Sequence, residues 1–162
     1  MPINKDTLLK SKSFCIMPWI HISTEPTGDT KICCLSKNLI KDDVALNLGV
    51  NDIDEIFNHQ QVRTNRKDML EGKCISDCSH CWKEEAAGGM SQRISNTESW
   101  LTKNPGLVDM INNSIENDFY VNSNPIYYDF RFGNLCNLKC RSCGSLNSTQ
   151  INKEYKELKS KH

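Results

Sequence analysis

The chain has 162 residues, and its 20 lysines and arginines balance its 20 aspartates and glutamates. That balance argues against a nucleic-acid surface, where affinity rests on concentrated positive charge. Hydrophobic content of 38% permits a modest core, and with no apolar leader in "MPINKDTLLKSKSF" and no run of membrane-spanning length, a soluble cytoplasmic protein without a membrane partner is expected.

Residues 14 to 35 predict a hairpin. "FCIMPWIHIS" is apolar and aromatic, "TEPTGDT" supplies turn residues, and "KICCL" returns. Residues 36 to 51 are polar and read as irregular. A helix broken once is expected from Asp52 to about Leu70: Asp52 and Glu55 imitate a capping box, Ile53, Ile56 and Phe57 give the apolar stripe, and Gly72 ends it. A short helix starts near Cys78 and is weakened at Gly88 and Gly89. Residues 95 to 124 carry Asn, Ser and Pro and read as a linker with one weak helix around 106–115.

In "IYYDFRFG", residues 126 to 133, Ile126, Tyr128, Phe130 and Phe132 alternate with Tyr127, Asp129 and Arg131, the period of a strand. Asp129 and Arg131 would point into a barrel lumen or form an ion pair. The loop "LCNLKCRSCG" follows, and a helix from about Ser145 to Lys159 has the stripe Ile151, Tyr155 and Leu158. The pattern is strand, loop, helix.

Nine cysteines form three groups: Cys15 with Cys33 and Cys34; Cys74, Cys78 and Cys81; Cys136, Cys140 and Cys143. In a reducing compartment such grouping points to metal or cluster ligands. The last group is C-x3-C-x2-C with no fourth cysteine. A cubane iron–sulfur cluster held by three thiolates keeps one iron free for a substrate or cofactor, as catalytic metal sites keep an open position. A zinc site completed by His80 or His59 is the alternative.

Cys136-x3-Cys140-x2-Cys143 after a strand resembles the signature of the radical S-adenosylmethionine (SAM) superfamily. The resemblance implies that Cys136, Cys140 and Cys143 bind a [4Fe-4S] cluster whose open iron is chelated by SAM. It also implies reductive cleavage of SAM to a 5′-deoxyadenosyl radical that abstracts hydrogen from the substrate. Many members have an aromatic residue before the third cysteine, where this chain has Ser142. Cys15-x12-Gly28-x4-Cys33 is similar to the opening of SPASM and twitch domains, which hold auxiliary iron–sulfur clusters, and Cys78-x2-Cys81 looks like the pair that completes the set. The resemblance thus implies Cys15, Cys33, Cys78 and Cys81 as auxiliary ligands. Cys34 lies one residue beyond the spacing, and Cys74 has no place in it. A glycine at position 28 would let the hairpin turn tightly, so that thiols from both strands converge. Trp19 and Trp82 would pack around that cluster, His80 would be exposed, and Glu84 and Glu85 would form a solvated helix face.

The expected fold class is therefore α+β. A hairpin-and-helices twitch/SPASM-like domain spans 14–94, a linker 95–124, and the first βα unit of a radical SAM partial α/β barrel 125–162. The glycine-rich segment and later strands of such a barrel are not in the sequence, so the chain is expected to be the N-terminal segment of an enzyme and inactive alone. Implied partners are SAM, a peptide-type substrate, an electron donor such as flavodoxin or ferredoxin, and a partner chain supplying the rest of the barrel. A stand-alone iron–sulfur electron-transfer or scaffold module and a zinc-stabilised interaction module remain open.

Overall fold

The computed structural model describes residues 2–160. Helix α1 (Lys5–Lys10) starts at Asn4, whose side chain accepts from the Thr7 amide. A single helical turn, α2 (Met17–Ile20), has Pro18 in its first turn, where a missing N–H costs nothing. It runs directly into β1 (His21–Thr24), which pairs antiparallel with β2 (Thr30–Lys31). Gly28 turns this hairpin at φ +90°, and its amide donates to the Glu25 carbonyl at 2.9 Å. The hairpin expected over 14–35 thus exists, but its paired strands are shorter than the apolar run.

Residues 36 to 51, expected to be irregular, contain a second hairpin, β3 (Ile40–Lys41) and β4 (Val44–Ala45). Its turn residues, Asp42 and Asp43, both have positive φ. Short polar side chains tolerate that conformation, and it matches the twist of a two-residue hairpin. Helices α3 (Ile53–Phe57) and α4 (Gln60–Leu70) follow, separated at Asn58 and His59, which is the one break expected. A 3₁₀ turn (Ser76–Cys78) leads into α5 (Ser79–Ala86).

The expected linker needs correcting. Helices α6 (Gln92–Lys103) and α7 (Leu107–Glu116) occupy most of it, and Leu101, Leu107, Ile111 and Val121 belong to the same buried cluster as Leu8, Phe14, Trp19 and Ile56. One core therefore runs from Leu8 to Val121 without a boundary near residue 94. Each fully buried large apolar side chain stabilises it by about 1.5–3 kcal/mol. Trp19 reaches across it, its indole N–H donating to Ser114 Oγ at 3.0 Å.

Arg66 is also fully buried. Its guanidinium donates to the carbonyls of Pro18, Phe57 and Phe119 and to the Asn58 side chain at 2.7–2.9 Å. Burial pulls its pKa down to about 9. Carbonyl partners on all sides make a buried charge tolerable.

The last strand, β5 (Tyr127–Asp129), lies parallel to β1 in a three-stranded sheet ordered β2-β1-β5. Pairing stops after Asp129, so the strand is shorter than the alternation at 126–132 predicts. Asp129 and Arg131 do not pair with each other. Asp129 accepts from Ser23 Oγ at 3.2 Å, and Arg131 pairs with Glu25 at 3.4 Å. The chain ends in α8 (Thr149–Lys159), capped by Ser148. The molecule is α+β, and among the described residues no helix is long and apolar enough to cross a membrane.

Candidate metal centre

Cys15 enters α2, Cys33 sits in the turn that leaves β2, Cys78 ends the 3₁₀ turn, and Cys81 lies in the first turn of α5. The expectation that the thiols lie on the two paired strands is corrected, because both cysteines flank the ladder. Cys78 and Cys81 are three residues apart at a helix start, so they share one face. Cys33 is fixed by Ser36, whose amide donates to the Cys33 carbonyl at 3.0 Å and whose hydroxyl accepts from the Cys33 amide at 3.2 Å.

The four sulfurs sense one another. Burial pushes the Cys15 thiol up to about 12, with Cys33 and Cys81 adding to the rise; the Met17 amide and Arg93 oppose it. Burial raises Cys78 too, and Cys15, Cys33 and Cys81 each add to that. Burial raises Cys33, against the amides of Leu35 and Ser36, while Cys34 and Cys81 add to the rise. Cys15, Cys78 and Cys81 are buried and Cys33 is half-buried against the core. Cys74 is exposed, and Cys34 donates outward to Gln92 Oε1 at 3.8 Å.

Cys15 and Cys78, pushed up by burial, would ionise beside a cationic centre, and binding one would release their protons. Soft thiolate sets suit iron–sulfur clusters or zinc. Among the described residues, no group of three or more His, Cys, Asp or Glu side chains is placed to hold a metal ion.

The Cys136–Cys143 segment is different. Cys136 and Cys143 are half-buried and Cys140 is exposed. The loop is tied to α8: Cys136 N–H donates to Thr149 Oγ1 at 3.4 Å, Thr149 N–H to the Asn134 carbonyl at 2.9 Å, and Ser148 Oγ to the Leu138 carbonyl at 3.3 Å. The Leu138 amide donates to Cys136 Sγ at 3.4 Å, and a turn joins Cys143 N–H to the Cys140 carbonyl at 3.1 Å. This loop supplies soft donors after a strand and before a helix, on an open surface.

Around the first set, Trp82 packs at the core edge with its indole N–H on the Ile75 carbonyl at 2.9 Å, and His80 is exposed. His59, the other candidate zinc partner, caps α4 instead. Glu85 is not the solvated residue expected. Arg93 grips it twice, Nε to Oε1 at 2.8 Å and Nη2 to Oε2 at 2.6 Å, and holds its carboxyl below the usual range. Sequence reasoning missed Arg93, although Ser91 is an N-cap signal: it accepts from the Ile94 amide at 3.4 Å.

No protein-family model matches the chain, and neither a curated protein nor a solved structure matches it significantly.

Proposed function

We propose that this chain binds two iron–sulfur clusters as part of a radical SAM enzyme. Cys136, Cys140 and Cys143 hold the SAM-type [4Fe-4S] cluster, and Cys15, Cys33, Cys78 and Cys81 hold an auxiliary one. One observation carries the reading. Cys15 and Cys78 lie in one buried core, Cys33 packs against that core and Cys81 is buried, and the strand that precedes the Cys136 loop is parallel to β1 of the same hairpin.

The SAM-type cluster, when bound, supplies the electron for reductive cleavage of SAM, which starts radical chemistry on a substrate of peptide type. The chain's own residues bind and orient. The β5–α8 unit holds the open loop through Ser148 and Thr149, while the core around Phe14, Ile16 and Trp82 excludes water from the four-thiol site, which tunes a bound centre.

The test is anaerobic purification with iron and sulfide analysis, followed by electron paramagnetic resonance with and without SAM. A brown protein with a reduced-cluster signal that SAM perturbs is expected, and that perturbation is lost in C136A/C140A/C143A. A cluster signal indifferent to SAM would favour an electron-transfer or scaffold module. A colourless protein holding zinc would replace both readings with an interaction module.

A further inference from the structure

Helix α6 touches all three chain segments that carry the buried thiols and their neighbours. From its first turn, Arg93 Nη1 donates to the carbonyl of Phe14 at 2.7 Å, the residue before Cys15. One turn on, Thr97 Oγ1 accepts from the Ile16 amide at 3.2 Å, the residue after Cys15. The same guanidinium holds Glu85, four residues beyond Cys81, and lies 5.1 Å from the centroid of Trp82, the residue next to Cys81. Gln92 receives the Cys34 thiol, beside Cys33. Arg93 is buried at 6% exposure, so its fork is committed to these partners.

We infer that Arg93 is a positioning residue for the four-thiol site, clamping the Cys15 segment against the helix that carries Cys81 and follows directly on Cys78. This rests on the reading of that site as an iron–sulfur centre. A planar guanidinium suits the task because its donors leave in fixed directions, two to one carboxylate and one to a carbonyl behind it, which an ammonium cannot reproduce. Its second effect is electrostatic. Arg93 is a buried cation bonded to the carbonyl of the residue before Cys15, so it also stabilises the more negative, reduced state of a centre bound there.

The experiment uses the full chain carrying C136A/C140A/C143A, so that only the auxiliary centre is counted. Two quantities are read: the rate of iron loss to a chelator, and the midpoint potential. R93Q removes both fork and charge. Iron loss about tenfold faster, the scale at which outer partners of metal ligands act, and a lower midpoint potential are expected. R93K keeps the charge without the fork, so it should lose iron faster at an almost unchanged potential. A role confined to holding the fold would leave the potential of R93Q where it was. Should R93Q fail to fold, R93K carries the test alone, and wild-type iron retention in R93K would overturn the clamp. Wild-type retention and potential in R93Q would overturn the proposal while leaving the cluster reading intact. A background chain that binds no iron–sulfur centre would overturn both.

Discussion

His21 and Tyr127 are register partners across a parallel strand pair, with ring centroids 4.4 Å apart. Tyr127 in turn lies 5.7 Å from Trp100 on α6. The hairpin that Cys15 and Cys33 flank and the strand that precedes the Cys136 loop thus belong to one sheet. This contact makes the two cysteine sets parts of one framework.

It also gives a pH dependence. His21 is buried, and its Nδ1 donates to the Ile32 carbonyl at 2.9 Å. Burial lowers its pKa from 6.5, against the Ile32 bond and the charge of Asp129. A depressed folded pKa means that the neutral ring stabilises the fold fully above 6.5, and that this stability is lost as pH falls through the lower folded value. Urea denaturation at about pH 7.5 and about pH 5 should show a drop in the wild-type chain that is reduced in His21→Gln. An equal drop in both would detach the effect from His21.

The two cysteine sets should load independently. C136A/C140A/C143A is expected to lose about half the iron, as one of two clusters, while amides of β1 and β2 keep their protection in hydrogen exchange. Loss of all iron in this variant would show that the sets form a single centre.

Cys78→Ala should reveal its effect only in the loaded protein. Without metal, one buried sulfur is removed and the cost is about 1 kcal/mol. With metal, ligation joins segments from Cys15 to Cys81, and binding free energy becomes folding free energy. Limited proteolysis should therefore separate loaded Cys78→Ala from loaded wild-type chain far more than it separates the two metal-free forms. Equal resistance of the loaded forms would remove Cys78 from the ligand set.

Gly28→Ala tests the hairpin turn. At φ +90° an added Cβ would meet Asn47 Oδ1 at 2.8 Å. Asn47 cannot withdraw freely, since it donates to the Thr27 carbonyl and to Asp29 at 2.9 Å each. A loss of about 1–3 kcal/mol is expected from the backbone conformation, with a further penalty for the crowding. Gly72→Ala is the control: φ is +86° there and nothing lies within 4 Å. Equal denaturation midpoints for the two variants would show that Asn47 yields without cost.

Local signals were legible. The turn at Gly28, the broken helix between Asp52 and Leu70 and the helix near Cys78 each depend on residues close in sequence. Helix α6 was not legible because its buried face is polar. Arg93, Thr97 and Leu101 recur every four residues, as a helix requires, but only the last is apolar. Arg93 thus stands in the first turn of a helix whose remainder falls in the stretch expected to be a linker. The partner of the 126–132 strand was equally hidden, because alternation reports that a strand has two faces and says nothing of which distant edge it joins. Cys15, Cys78 and Cys81 were marked by a resemblance in spacing, while their burial comes from core residues that the spacing does not name.

The parallel pairing also fixes an order of events during synthesis. Ser23 and Asp129 are 106 residues apart, so at about 5–20 residues per second the nascent β1 waits on the order of ten seconds for its neighbour. All four buried cysteines have been made well before then, since Cys81 precedes β5. The early hairpin must meanwhile leave one edge of β1 without a partner, a template for wrong pairing. A centre assembled on the four thiols during that interval would hold the hairpin in shape while its open edge waits. If the proposed centre forms, ribosome-bound chains stalled between Cys81 and Tyr127 are the stage at which iron supply would have the greatest influence on whether the protein folds or aggregates.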